Sequence, residues 1–376
     1  MKKSFQYRIY PNKEQIDILN KTLELCRNLY NTALYQRITG YKLGYKVSFY
    51  TQSKELKELN KDNGYEIVHA QVLQNTLKRL DQTYQNFFRR LKSGQKPGFP
   101  RYKGPNRFNS FTYPQYTKLT INHDTSDKIY IPKIGDVKIK YRRPIQGKPK
   151  TLTVKRTNNK WYVVITCDGI PVKERIKNIT KIVGIDLGIK HFLVTSDGKK
   201  VHNPKFVSKF LVRIQKLQQI LSRKHKGSNR YNKTKSRLRT LYEKVTNIRN
   251  DFLHKVSRWL VDNYDCICYE DLKVKEMLDS QRPFKHNLNR NILDVSWNRF
   301  IGMVTYKAEE AGKYTIPVDP KNTSKRCSNC GYVNDQLELK DRTYNCPNCG
   351  ISLDRDYNAS KNILWLGSSL ISGYCS

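Results

Sequence analysis

"KIVGIDLGIKHFLVTSDG" (residues 181–198) is the most informative segment of the chain. Read with period two as one strand, it places Val183, Ile185, Leu187 and Ile189 on one face and Ile182, Gly184, Asp186 and Gly188 on the other. A carboxylate centred between two glycines weakens an apolar strand. It suits a place where a metal ion and a phosphate approach the backbone. An edge strand is the plainer account, but the apolar opposite face argues against it. "YDCICYEDLKV" (264–274) is a second apolar strand ending in acids. Alternation sets Glu270 with Cys266 and Cys268, and Asp271 with Ile267 and Tyr269. Glu270 is therefore the expected ligand and Asp271 a pairing or capping residue.

A third acid comes from "CPNCGISLDRDYNASKNIL" (346–364). "YNASKNIL" reads as a helix, which puts Asp356 at the expected N-cap, where the dipole favours a carboxylate. Asp354 is expected to be held by Arg355 or by solvent. A cap alone is the plain reading of Asp356, yet two other orphan acids call for a third. Asp186, Glu270 and Asp356, on strand ends and a helix start, suit paired Mg²⁺ (or Mn²⁺) ions hydrolysing a phosphodiester.

The partner follows from charge. Among 376 residues, 71 Lys+Arg stand against 32 Asp+Glu, a net +39 that points to a polyanion, most often nucleic acid. Ribosomal and chromatin proteins carry such charge without chemistry, so charge names a partner and no reaction. No apolar run approaches membrane-spanning length, and the start lacks a signal-peptide core, so a soluble cytoplasmic protein is expected. Cys327, Cys330, Cys346 and Cys349 form two C-x2-C knuckles with the spacing of a zinc ribbon, so structural Zn²⁺ is expected there. Cys26, Cys167, Cys266, Cys268 and Cys375 read as small buried or tail residues without disulfides.

Along the chain, "KSFQYRIY" (3–10) alternates like a strand, and Asn12 with Gln15 forms a capping-box signature ahead of a helix through Leu34. A second amphipathic helix runs from Leu73 to Leu91, with Gln74 and Lys78 on its polar face. The segment 93–115, "SGQKPGFPRYKGPNRFNSFTYPQ", interleaves rings and cations as base-stacking and phosphate-binding loops do. Lys96, Arg101, Arg107, Phe111 and Tyr113 are its candidate contacts. An ordered surface loop is the plain alternative. Several short strands between 117 and 174 suggest a small β-barrel or sandwich. A helical hairpin spans 205–258, with 16 Lys and Arg against Glu243 and Asp251, and is expected to follow a phosphate backbone.

"GIDLGIK", "YEDLKV", "NTSKRCSNCG" and "CPNCGISLDRDYNASKNIL", in that order, resemble the transposon-encoded TnpB proteins, compact relatives of type V CRISPR effectors. The loop "KPGFPRYKGPNRFNSFTYPQ" resembles their N-terminal half, so the likeness spans nearly the whole chain. It implies a multidomain α/β protein: an RNase H-like (RuvC) nuclease core with an inserted helical hairpin and zinc ribbon, plus an N-terminal helical bundle and small β-barrel. The expected boundaries are 1–10 with 116–174 for the wedge-like barrel and 11–115 for the helical recognition region. The nuclease takes 175–320 with 354–366, the ribbon 321–353 and a flexible tail 367–376. The family's catalytic acids fall on Asp186, Glu270 and Asp356. Asn358-Ala359-Ser360 departs slightly from the family's Asn-Ala-Ala.

The resemblance further implies a guide RNA, a double-stranded DNA target and cleavage beside a short recognition motif, with sequence read by base pairing. Arg342, between the knuckles, is a candidate contact to substrate phosphate. Three other readings compete: an RNase H-like transposase, a non-cleaving RNA-guided DNA binder, and a purely structural zinc-ribbon RNA-binding protein. Oligomeric state stays open.

Overall fold

Every second side chain of β1 (Lys3–Tyr10) turns inward, burying Phe5, Tyr7 and Ile9. The structure is a computed structural model that describes all residues except 63, 106, 118–120, 123–127, 279–285, 339 and 372–376. It divides into two units, Met1–Pro171 and Val172–Ser376. The reading of Cys375 lies outside the described residues.

In the first unit, β1 leads into α1 (Lys13–Lys42), closed at its start by the expected box. The Asn12 side chain accepts from the Gln15 N–H at 2.8 Å, and the Gln15 side chain accepts from the Asn12 N–H at 3.1 Å. Next come α2 (Phe49–Asp62) and α3 (Ala70–Lys92). Strands β2 (Ser110–Tyr113), β3 (Ile121–Asn122), β4 (Lys128–Ile131), β5 (Gly135–Ile139), β6 (Lys148–Thr157) and β7 (Lys160–Asp168) follow. With β1 they form an antiparallel sheet of order β2-β6-β7-β1-β5-β4-β3. Among the described residues no pairing joins β2 to β3, so the expected barrel appears as an open sheet. Helices and sheet share one core, with Leu19, Leu73, Leu77 and Leu80 packed in the same cluster as Phe5, Val154 and Ile165.

The segment read as a loop over 93–115 ends in β2. Its alternation turns Phe111 (1% exposed) and Tyr113 (3%) into this core, and the Tyr113 hydroxyl donates to the Pro132 carbonyl at 2.8 Å. Both expectations of base stacking are thereby corrected: neither ring has a free face. Arg79 holds the segment down, donating to the Ser110 carbonyl at 2.6 Å with its guanidinium 4.8 Å from the Phe108 ring centroid.

The second unit centres on a five-stranded sheet. What the sequence suggested as one strand is a hairpin of β8 (Ile182–Asp186) and β9 (His191–Thr195), continued by β10 (Lys200–His202). After α4 (Leu211–Ser222) and α5 (Asn229–Asn263), β11 (Cys266–Glu270) lies parallel to β8. Helices α6 (Val274–Leu278), α7 (His286–Val295) and α8 (Trp297–Glu310) lead to β12 (Tyr314–Val318), parallel to β11. The order is β10-β9-β8-β11-β12. A small hairpin of β13 (Thr343–Asn345) and β14 (Ser352–Asp354) runs into α9 (Arg355–Ile371). The expected tail from 367 is thus helical as far as Ile371.

The two faces of β8 meet different partners. Val183 and Ile185 pack with Leu253 and Leu260 of α5 and Phe300 and Val304 of α8. The other face carries α9, whose Ile363 is buried with Cys266 and Cys268. No helix among the described residues is long and apolar enough to cross a membrane.

Candidate active site and thiolate centre

Parallel pairing brings the first two acids to one sheet edge. Cys268 sits opposite Gly184 and Tyr269 opposite Ile185, so the next residues, Glu270 and Asp186, end neighbouring strands on the face under α9. Helix α9 supplies Asp356 in its first turn and runs back along β8. This close approach explains Gly184. A Cβ there would stand 2.2 Å from the Ser360 carbonyl oxygen and 2.5 Å from the Leu364 nitrogen, both on α9. The glycine makes room for a helix, where the sequence suggested an approaching metal and phosphate. Gly367 does the reverse from α9, where a Cβ would lie 2.1 Å from the Cys268 Sγ.

Asp186 feels the other two carboxylates. Burial, then the charges of Glu270 and Asp356, hold Asp186 well above the usual carboxylate range, with Arg355 opposing. Burial also raises Glu270, offset by the hydroxyl of Thr323, which donates to its carboxylate. They do not converge to the 4.8 Å mutual spacing that, among the described residues, the four cysteines alone reach. Hard oxygens of like charge, one of them pushed toward protonation by burial and then by the others, are a donor set that fits a divalent cation.

At the start of α9 the structure corrects the expected cap. The Asp354 side chain accepts from the backbone N–H groups of Asp356 at 3.0 Å and Tyr357 at 3.2 Å, so Asp354 is the N-cap. It pairs with Lys200 at 2.7 Å. Burial works against ionisation of Asp354, but Lys200 and these N–H groups outweigh it and lower the pKa. Asp356 is left free of capping duty. His191, at the start of β9, lies within the field of Asp356 and stacks obliquely on His202, ring centroids 5.6 Å apart. Its alternation with apolar residues offered no signal for that placement.

The cysteines form a second centre next door. The Sγ atoms of Cys327 and Cys349 lie 3.7 Å apart, those of Cys330 and Cys346 3.5 Å. Four thiolates ~2.3 Å from a tetrahedral ion have edges of about 3.8 Å, so the cage fits zinc. Each knuckle turns through a glycine in the left-handed region, Gly331 (φ 79°) and Gly350 (φ 71°). The side-chain amides of Asn348 and Asn329 reach the sulfurs of Cys330 and Cys349. The first of these, with the Tyr332 backbone, lowers the Cys330 pKa toward the ligating thiolate.

The ribbon is fastened to the acids by groups the sequence did not single out. Thr323, ahead of the first knuckle, holds Glu270. From α9, Asn358 accepts from the Ser328 N–H at 2.9 Å and donates to the Arg326 carbonyl at 2.7 Å. Asn362 donates to the carbonyls of Thr323 at 2.8 Å and Arg326 at 2.6 Å. Strand β14 ends at Asp354, and the Arg355 N–H donates back to the Arg342 carbonyl at 2.9 Å. Of the nucleic-acid candidates, Gln74, Lys78, Lys96, Arg101, Arg107 and Arg342 are exposed.

Known proteins match this arrangement. Residues 164–281 fit the OrfB_IS605 family, described as "Probable transposase", and residues 297–363 fit a "Cas12f1-like, TNB domain". Residues 1–46 fit a "Helix-turn-helix domain", over a span that here holds β1 and α1. The Escherichia coli (strain K12) protein called "Putative RNA-guided DNA endonuclease InsQ" is 30% identical over 98% of this chain and 93% of its own. A "Putative RNA-guided DNA endonuclease" of Streptomyces pristinaespiralis is 32% identical over 98% and 90%. In fold, the chain resembles a Cas12f1 solved by cryo-EM with sgRNA and target DNA, at a TM-score of 0.64 and 16% identity over 96% of this chain and 98% of that one. With identity of this size along nearly the whole of both curated relatives, the chain belongs to the TnpB (OrfB) family.

Proposed function

We propose that the protein is an RNA-guided DNA endonuclease of a mobile element, with Asp186, Glu270 and Asp356 as its catalytic carboxylates. The observation that carries the reading is their meeting at the ends of β8 and β11 and the start of α9. Asp186, Glu270 and Asp356 would hold divalent ions, Mg²⁺ or Mn²⁺, which would supply an activated water and offset charge on the departing 3′ oxygen. Asp186 offers the central ligand. Thr323 sets the rotamer of Glu270. Asp354 and Lys200 fix the helix start, so that Asp356 stays aimed at the other two.

Zinc in the cysteine cage is structural in this reading and holds the third acid through β14 and Asn358. The bound nucleic acids are a guide RNA and a double-stranded target. The cations lining the cleft between α4 and α5, Arg213, Lys216, Arg237 and Lys244, track phosphates there. Residues 11–115 form the recognition region, with Gln74, Lys78, Lys96, Arg101 and Arg107 as contacts, and Arg342 meets substrate phosphate beside the third acid.

A transposase joining DNA ends would use the same acids, and the description of the OrfB_IS605 family favours that alternative. Reconstituting RNA-free protein with two guides that differ only in their variable segment separates the readings. Cleavage that moves with the guide, needs a divalent ion and disappears in Asp186→Ala supports the endonuclease. Cleavage that ignores the guide supports the transposase, and retargeted binding without cutting supports a non-cleaving binder.

A further inference from the structure

Base stacking expected of Phe111 and Tyr113 has no place on their buried rings, but the same interleaving of rings and cations recurs, exposed, where α1 meets α2. From Tyr35 to Lys54 the chain carries Arg37, Lys42, Lys46 and Lys54 and no acid. Arg37 is spent internally on Asp81 and Gln52, while the three lysines are exposed. Beside them Tyr41 is 87% exposed, Tyr45 69% and Tyr50 82%. A tyrosine leaves this much ring in water at a cost, and three of them lie within ten residues.

The turn that carries them is built firmly. Gly40 lets Val47 close on the helix end, since a Cβ there would lie 2.6 Å from the Val47 Cγ2. The Tyr45 N–H donates to the Gly40 carbonyl at 2.7 Å, and Gly44 turns through φ 78°. Lys54 follows Tyr50 by one helical turn, on the same helix face. The rings are therefore presented on an ordered scaffold, which lowers the entropy lost when a ligand settles on them.

We infer that Tyr41, Tyr45 and Tyr50, flanked by Lys42, Lys46 and Lys54, form a stacking platform for unpaired bases of a single-stranded nucleic acid. The inference rests on the nucleic-acid reading above and adds a site to it. A second copy of this chain is the rival occupant, but it would set three lysines against three lysines, with acids, Glu55 and Glu58, beside Lys54 alone to offset them. Phosphates match the lysines and every base has a face for a ring, so a single strand satisfies both halves of the patch. Duplex satisfies only the lysines.

The test uses full-length protein freed of RNA, with a labelled oligouridine and an RNA duplex of equal length, at salt that screens phosphate contacts. Tyr41→Ala/Tyr45→Ala/Tyr50→Ala should bind the single strand at least tenfold more weakly, as the loss of stacking rings predicts. It should bind duplex as the parent does, and the matching triple Phe variant should keep single-strand affinity. Equal binding of the single strand by parent and triple Ala variant overturns the inference. An equal loss for single strand and duplex does so too, by reducing the patch to charge. A nucleic-acid-free parent that sediments as a dimer while the triple Ala variant is monomeric assigns the patch to a second copy. A parent that binds neither probe refutes the nucleic-acid reading itself, and the platform with it.

Discussion

Gly184→Ala is the perturbation whose size follows most directly from the geometry. The added methyl would sit 2.2 Å from the Ser360 carbonyl oxygen, against 3.4 Å for ordinary contact, so α9 must retreat by about 1.2 Å. Both close atoms on α9 are backbone, and no side-chain rotation relieves them. Overpacking of this kind costs about 1–3 kcal/mol. Catalysis pays more heavily, because Asp356 lies one turn before Ser360 on the displaced helix. A misplacement of about 1 Å at reacting groups lowers rates roughly 100-fold.

The expected outcome is a folded protein with a lower melting temperature, unchanged RNA binding and single-turnover DNA cleavage slowed about 100-fold. Gly302→Ala is the internal control: it lies exposed within α8, and a Cβ there meets nothing within 4 Å. Removing its backbone freedom should stabilise the protein by about 0.5–1 kcal/mol and leave cleavage alone. A Gly184→Ala enzyme that cuts at the parental rate would refute the assignment of Asp356 to the site, since the helix carrying it would have moved without consequence.

Asp354→Ala and Asp356→Ala should part company. The first removes a cap, costs about 0.5–2 kcal/mol in a melting experiment and leaves partial cleavage, whereas the second leaves melting unchanged and abolishes cleavage. Cys346→Ser opens the thiolate cage, so elemental analysis should find zinc lost, and single-turnover assays should find cleavage lost with it, because Asn358 and β14 lose their anchor. Lys307 contributes a pH signature. Burial, aided by Arg258, lowers its pKa to about 8, although its ammonium donates to the His254 carbonyl at 2.8 Å and the Ser257 hydroxyl at 2.7 Å. The unfolded chain therefore holds this proton between pH 8 and 10.5 where the native protein does not, and stability rises with pH across that window. Lys307→Met should flatten that rise relative to the parent in melting curves.

Period-two alternation made β8 and β11 legible, and knuckle spacing made the thiolate cage legible, because both are local patterns. What the sequence hid were partners distant along the chain. Nothing near Gly184 announces that Ser360 will lie on it, so its lack of a side chain read as room for an ion. Rings and cations between 93 and 115 read as a stacking loop because inward alternation over the four residues of β2 is too short to stand out from it. α2 gives a weak signal because "FYTQSKELKELNKD" is mostly polar, and it joins the core through Leu56, with Phe49 packed against it. Asp354 and Asp356 both suit a helix start in sequence, and only the hydrogen bonds from the N–H groups of Asp356 and Tyr357 choose between them.

The neighbourhood of ribbon and acids has a physical reason. Asp186 and Glu270 need no outside help to meet, because the pairing of two adjacent parallel strands sets their relative height. The third acid arrives on a helix, and a helix lying on a sheet can slide or turn by a fraction of a residue at little cost unless something pins its end. Here the pins come from the cysteine-bearing segment. β14 delivers the chain to Asp354, Asn358 and Asn362 clasp the Arg326 carbonyl, and Thr323 reaches across to Glu270. A cage of four thiolates makes that small segment stiff without a core of its own, where Tyr344 and two of the cysteines are nearly all the buried apolar surface. Loss of the metal should therefore loosen Asp356 first and leave the β8–β11 pair standing. Hydrogen exchange after chelation would show it as early exposure of the first turn of α9, with the amides of β8 and β11 still protected.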